Sequence, residues 1–154
     1  GSPLPHGEGR GIAICESFGS IVGQVALVAV SPEGVLKVKE VYAVADCGDV
    51  VNMDTAAAQI EGGVMFGLSA ALLGAITIKD GRVEQSNFND FHTMILRDAP
   101  AVHVDFVISG AHPGGLGEPG VPPIAAAVAN AIFAATGIRV RELPFKQAKL
   151  AAST

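Results

Sequence analysis

One carboxylate, Glu118, sits among four glycines and three prolines in Gly114-Gly115-Leu116-Gly117-Glu118-Pro119-Gly120-Val121-Pro122-Pro123, directly before an Ala-rich apolar segment. Such a loop is suited to holding a carboxylate still. A residue before proline is pushed out of the helical region, so Glu118 is expected to be extended. Gly117 and Gly120 let backbone or a ligand approach closely, while Pro122 and Pro123 suit a helix start, where a missing N–H costs nothing. The loop is expected to hold the carboxylate in an apolar, water-poor pocket, which disfavours its charged form. The alternative is a proline-rich turn whose glutamate is merely solvated.

A second motif, Gln59-Ile60-Glu61-Gly62-Gly63, stands near the start of an apolar helical run that continues to Leu73. Each interior glycine costs a helix about 1 kcal/mol relative to alanine, and this run carries Gly62, Gly63 and Gly67. Two readings would offset that cost. A cofactor or its phosphate could lie against the helix start, where free N–H groups and the dipole favour an anion, with Gln59 supplying amide donors. Close packing against another helix would instead use Gly63 and Gly67 at four-residue spacing.

The 154 residues make one domain, or a fragment of a longer protein, with enough chain to bury a core. A formal net charge of −5 without a Lys/Arg patch argues against nucleic acid, which needs a basic footprint. With 49% hydrophobic and 16% charged residues, much of the surface is expected to meet other protein, a second copy included when the chain is isolated. Two long uncharged runs, Gly62 to Ile78 and Pro119 to Ile138, raise the question of membrane spans. The first is Gly-rich and short; the second opens with three prolines, contains Asn130 and is dominated by alanine. Buried core helices explain both better. The N-terminus is polar and Gly/Pro-rich, with no visible signal peptide; residues 1–8 are expected to be flexible or vector-derived. The compartment stays open between cytoplasm and periplasm. Cys15 and Cys47 are too few for a disulfide framework or an iron–sulfur site and read as small apolar residues. The four histidines lie far apart, without zinc spacing, and no protein-ligated metal is expected.

Around the two motifs, Gly11 to Glu16, Ile21 to Val30 and Val35 to Ala45 predict a strand meander, with a turn at Ser31-Pro32-Glu33-Gly34. Asp54 or Thr55 is expected to cap the glycine-bearing helix, which stops at Gly74. Ala75 to Ile78 and Arg82 to Gln85 predict a hairpin around Lys79-Asp80-Gly81. Asn87 to Ala101 has no clear period and predicts an ordered loop. Val102 to Ser109 alternates like a strand, and a second helix is expected from Pro122 to Thr136, closed by Gly137. The remainder, from Leu143-Pro144-Phe145 through the Lys/Ala/Ser tail, predicts a frayed terminus. The order gives an α+β fold, a mixed sheet with two apolar core helices. It opens in sheet-forming sequence with no evident partner strands of its own.

The two motifs in this order, with Glu16-Ser17-Phe18-Gly19-Ser20, Asp46-Cys47-Gly48, Gln85-Ser86-Asn87-Phe88 and Leu143-Pro144-Phe145, resemble the C-terminal part of the molybdenum-binding subunit of the xanthine dehydrogenase and aldehyde oxidase family. The resemblance runs from about Gly9 to Phe145 and covers only the end of that longer subunit. It implies part of a molybdenum-cofactor-binding domain. Glu118 falls on the family's active-site glutamate, a general base, and Gln59 on the glutamine that contacts the molybdopterin cofactor near its phosphate, with Gly62 and Gly63 beside it. The implied cofactor is molybdopterin with molybdenum, often as the cytosine dinucleotide. The implied reaction is water-derived hydroxylation of an N-heteroaromatic, isoquinoline-like ring or of an aldehyde. Electrons would leave through 2Fe-2S clusters on a small partner subunit, and the remainder of the molybdenum-binding subunit would be a further partner. Asp49 and Met53 stand where relatives commonly carry other residues. The upstream cofactor segments of the family are not in this sequence, so the chain alone is expected to be inactive. The competing reading is a non-catalytic fragment or interaction module that lacks cofactor when isolated. A phosphate-cradling loop at Gly114 to Gly120 fails on spacing, because neither a P-loop Lys-Ser/Thr nor a complete G-x-G-x-x-G is present.

Overall fold

The computed structural model describes residues 2–145, 150 and 151. Along the chain these form β1 (Glu8–Ser17), β2 (Ser20–Val30), β3 (Leu36–Asp46), α1 (Met53–Leu72), β4 (Ile78–Lys79), β5 (Arg82–Val83), a 3-10 turn (Leu96–Asp98), β6 (Ala101–Phe106) and α2 (Pro122–Thr136). Four strands make one sheet in the order β1-β2-β3-β6, and β4 and β5 form a separate hairpin. The first three strands are antiparallel neighbours, whereas β6 runs parallel to β3. A parallel pair needs a long crossover, which α1 and the segment after it supply. The fold is thus α+β with a mixed sheet and two core helices. No helix among the described residues is long and apolar enough to cross a membrane.

The first strand does have its partner in the chain, pairing with β2 from Glu8↔Ala29 to Ser17↔Ser20. The lead is correspondingly more ordered than expected. The Gly7 carbonyl accepts from Val30 N at 2.8 Å, and Lys39 Nζ reaches the Glu8 carboxylate at 2.7 Å; Gly1 lies outside the described residues. The hairpin at Lys79-Asp80-Gly81 is present but shorter, with Asp80 and Gly81 both at positive φ as a two-residue primed turn requires.

Side chains alternate along β2, so Val22, Gln24, Ala26, Val28 and Val30 all point to the buried face. In β3 the register shifts between Leu27 and Val28 of its partner, which leaves Lys39 as the extra residue and lets Val38 and Val41, three apart, both face inward. Both helices cover that face. Helix α1 contributes Ile60, Val64, Leu68 and Ala71, and α2 contributes Ile124, Ala127, Val128, Ala131 and Ile132. Burial of each large aliphatic chain is worth roughly 1.5–3 kcal/mol. On the opposite face of the sheet no described residue covers Ile12, Ile14, Ile21, Tyr42 and Val44, which are exposed.

Helix α2 matches its expected bounds, with Pro122 and Pro123 in the first turn and Gly137 at φ 74 closing it. Helix α1 differs at its start. Its N-cap is Asn52, whose side chain accepts from Thr55 N at 2.9 Å, and neither Asp54 nor Thr55 is the cap. Cap propensity ranks Thr a little lower but does not separate Asn from Asp; the extended backbone at Asn52 does. The terminus also departs from a frayed end, because Phe145 and Leu150 are 3% exposed and belong to the core. The rest of the expected frayed tail, residues 146–149 and 152–154, lies outside the described residues.

The ends of β3 and β6 are joined by Asp46, which accepts from Gly48 N at 3.1 Å and from Ser109 Oγ at 2.7 Å. The Ser109 hydrogen bond first, and the Gly48 amide second, hold its pKa below the ordinary 3.8. A lowered folded-state pKa means stabilisation that is complete above the unfolded value and is lost as pH falls through the folded one. We therefore expect Asp46→Asn to lower the urea midpoint at pH 6. The gap from wild type should close as pH drops below about 3.8, the usual value for the unfolded chain.

Candidate functional site

The loop carrying Glu118 runs from the end of β6 to the start of α2 and is fastened along its length. Val107 N donates to Ala45 O, Asp49 N to Ala111 O at 3.1 Å, Gly114 N to Cys47 O at 2.9 Å and Gly115 N to Phe18 O at 2.8 Å. From the side of β2, Ser20 Oγ donates to Gly115 O at 2.6 Å and Gln24 Nε2 to Gly120 O at 2.8 Å. The loop therefore bridges the β1–β2 turn, the β3 exit and the sheet interior. Phe18 in that turn holds a left-handed backbone, φ 54, a conformation that costs a non-glycine residue roughly 1–3 kcal/mol and persists only where the surroundings enforce it.

Glu118 opens a turn closed by Val121 N donating to Glu118 O at 2.8 Å, with Pro119 at its second position. Pro119 and Gly120 are buried, whereas Gly117 and Glu118 are exposed. The backbone is anchored and the carboxylate faces out. This corrects the expectation of a water-poor pocket: the residues described here do not enclose Glu118. The apolar members of the motif turn inward, and the charged one is left on the surface.

Gly120 is where the two motifs meet. A Cβ there would lie 2.8 Å from Ile60 O, and one on Gly63 would lie 3.1 Å from Gly120 Cα. One turn on, a Cβ on Gly67 would lie 2.5 Å from Ile124 Cγ2. Close packing against the start of α2 thus accounts for Gly63 and Gly67, and Gly63 is sealed by protein rather than open to a ligand. Gly62 behaves differently. It is exposed, no described atom outside its own stretch of helix lies within 4 Å of its would-be Cβ, and it borders an apolar groove of about 520 Å³ with Met65, Phe66, Met94 and Leu96.

Gln59 is exposed and lines a smaller concavity, about 280 Å³, with Asn52, Thr55, Asp49, Gly114 and Leu116. The helix begins at Met53, so Gln59 lies well past the first turn. The free N–H groups of the helix start do not reach it. What Gln59 offers is a side-chain amide beside the Thr55 hydroxyl. The Asp49 carboxylate shares the rim, which makes the concavity better suited to an uncharged, hydrogen-bonding edge of a ligand than to a phosphate. Gln59 and the Glu118 loop border one concavity through Gly114 and Leu116; Gly62 opens into the neighbouring groove.

The cysteines differ from each other. Cys47 is 5% exposed, and burial first, the neighbouring Asp46 second, push its thiol above the ordinary value, which makes it an inert apolar filler. Cys15 is half-buried and free.

Two residues at the site escaped sequence reasoning. Ser20 and Gln24 are the buried polar side chains among the described residues, at 0% and 1% exposure, and both bind carbonyls of the Glu118 loop. Among the described residues nothing donates to the buried Gln24 Oε1, a cost of roughly 1–3 kcal/mol. The signal was present: Gln24 interrupts an otherwise apolar inward row with Val22, Ala26 and Val28.

Residues 16–100 match the model of the molybdopterin cofactor-binding domain, a span that includes Gln59 and ends before Glu118. A membrane-bound aldehyde dehydrogenase (pyrroloquinoline-quinone) of Gluconacetobacter polyoxogenes is 36% identical over 115 residues, 75% of this chain and 15% of the relative. The beta subunit of isoquinoline 1-oxidoreductase from Brevundimonas diminuta is 34% identical over 116 residues, again 75% of this chain and 15% of the relative. The crystal structure of quinoline 2-oxidoreductase from Pseudomonas putida 86 superimposes with a TM-score of 0.76 at 22% identity, over 82% of this chain and 17% of that one; at that identity the likeness is one of fold. This chain thus spans about one-sixth of the length of the proteins it matches. With more than half of its residues under the family model, it belongs to the molybdopterin cofactor-binding domain family.

Proposed function

We propose that this chain forms part of the cofactor and proton-transfer site of a molybdenum hydroxylase that oxidises an N-heteroaromatic ring or an aldehyde with oxygen from water. The observation that carries the proposal is the meeting of the two motifs: Gly120, two residues after Glu118, packs on Ile60 and Gly63, and Gln59 shares its concavity with Gly114 and Leu116. The donor set there, an amide and a hydroxyl beside open space, fits one rim of a large heterocyclic cofactor. Gln59 would hold such a rim through its amide, and Gly62 would leave room for a close approach. When bound, the molybdenum cofactor, molybdopterin or its cytosine dinucleotide, supplies the redox and oxygen-transfer chemistry. Glu118 takes up the proton released from water, its carboxylate facing outward on an anchored backbone. Clusters of the 2Fe-2S type on a partner subunit would accept the electrons. The remainder of the molybdenum-binding subunit covers the apolar sheet face around Ile12, Ile14 and Val44 and completes the enclosure of Glu118.

The substrate classes follow the names of two relatives, one an aldehyde dehydrogenase and one an isoquinoline oxidoreductase. The name of the first carries a quinone cofactor, which the deciding experiment must separate from molybdenum. We expect the chain assembled with the rest of its enzyme to hold molybdenum in stoichiometric amount by elemental analysis. Quinone without molybdenum would overturn the proposal, and an assembled protein holding neither would favour a non-catalytic module. Within the same material Gln59→Ala should lower molybdenum retention several-fold while leaving the thermal midpoint in place, because Gln59 is exposed and removes no packing. Unchanged metal content and dissociation rate would exclude Gln59 from the cofactor's contacts.

A further inference from the structure

The most unusual side chain in the interior is Gln24, and its surroundings give it a task. Its inward neighbours on β2 are Val22 and Ala26, and across the register it faces Ala13 and Ala43. An apolar residue there would spare the Gln24 Oε1, which has no partner among the described residues, but would take its donor away from the buried Gly120 carbonyl. What the amide does secure is Gly120 O, through Nε2 at 2.8 Å, the third residue of the turn that Glu118 opens. On its other side Gly120 is pressed against Ile60 O, 2.8 Å from where a Cβ would be. The turn is thus gripped from the sheet by Gln24 and from α1 by Ile60, with Pro119 buried, Val121 half-buried and Glu118 exposed.

We propose that Gln24 is a positioning residue for Glu118: its amide fixes the Glu118–Val121 turn and so sets where the carboxylate stands relative to the reacting atoms. This rests on the reading of Glu118 as the proton acceptor, and its test separates the two. Angular errors in a held catalytic group are expensive, a displacement near 1 Å costing on the order of 100-fold in rate. In the assembled holoenzyme Gln24→Met, which keeps the volume and loses the donor, should lower kcat on the order of ten- to hundredfold, with KM and molybdenum content changed less than about twofold. In a Glu118→Gln background the same substitution should have no further effect on kcat, because a residue acting through Glu118 has nothing left to position.

A readout independent of turnover is amide exchange in this chain, where the Val121 N–H bonded to Glu118 O should exchange at least tenfold faster in Gln24→Met while amides in mid-β2 stay protected. Normal kcat and normal Val121 exchange in a folded Gln24→Met protein would overturn the proposal. So would an effect on kcat that is undiminished in the Glu118→Gln background. If Gln24→Met does not fold, Gln24→Leu is measured in the same way; failure of both to fold, with Glu118→Gln folding normally, assigns Gln24 to stability alone and likewise overturns it. Normal turnover in Glu118→Gln itself would instead remove the reading of Glu118, whatever Gln24 does.

Discussion

Glu118→Gln, in the assembled enzyme, should lower the rate of hydroxylation by about 100- to 10,000-fold while leaving fold and cofactor in place. The size follows from what a positioned proton acceptor typically contributes, about 10²–10⁴. Glutamine keeps the length and shape of the side chain and loses the basic oxygen. The structure explains why the variant should be stable. The tethers of this segment are main-chain or belong to other residues: Val121 N to Glu118 O, Gln24 Nε2 to Gly120 O, and buried Pro119. The carboxylate itself is exposed, so exchanging it for an amide should move the thermal midpoint no more than an ordinary surface change, within about 0.5 kcal/mol. Steady-state turnover alongside molybdenum content is the measurement. Turnover within a factor of three of wild type in metal-replete protein would exclude Glu118 from proton transfer.

That separation between a secured backbone and an outward carboxylate was only half legible in the sequence. Proline after Glu118 and glycine on both sides announced a rigid loop, because those are properties of the residues themselves. Which way the glutamate points was not legible, since it depends on the Leu116, Pro119 and Gly120 side of the loop finding the core first. The same division recurs elsewhere. Helix α2 could be read to the residue because Pro122, Pro123 and Gly137 act locally. The start of α1 could not, because Asn52, Asp54 and Thr55 all have cap chemistry and the backbone chooses among them. The bulge at Lys39, the parallel pairing of β3 with β6 and the burial of Phe145 are long-range facts without a local mark. Gln24 is the instructive case. Its period-two position among valines and alanines was visible, but its partner, Gly120, lies 96 residues away. The two readings of the glycine-bearing helix also divide by residue: Gly63 and Gly67 serve packing, and only Gly62 keeps open space beside it.

The largest stability effect should come from Gly11→Ala in β1. A Cβ at Gly11 would collide with Ala131 N and Ala127 O of α2 and lie 2.6 Å from Asn130 C. All three are helix backbone, which cannot rotate away as a side chain would, so the helix must retreat from the sheet. Its retreat is opposed by Asn130 Nδ2, which donates to Ile12 O at 3.0 Å, and it would uncover the Ala127 and Ala131 stripe that fills the space over β1. Overpacking usually costs about 1–3 kcal/mol and more where backbone must move; we expect about 3 kcal/mol or more. At roughly 2–4 °C per kcal/mol for a chain of this size, the thermal midpoint should fall by about 6–12 °C. Because α2 begins one residue after the turn that Glu118 opens, the shift should also disturb the candidate site, and Val121 exchange should rise along with the loss of stability. Gly23→Ala on the adjacent strand is the matched control. Nothing lies within 4 Å of its would-be Cβ, so the methyl should be neutral or slightly stabilising through the reduced freedom of the unfolded chain. A Gly11→Ala midpoint no lower than that of Gly23→Ala would show that α2 does not approach β1 as closely as this packing requires, and would loosen the frame on which the Glu118 loop is held.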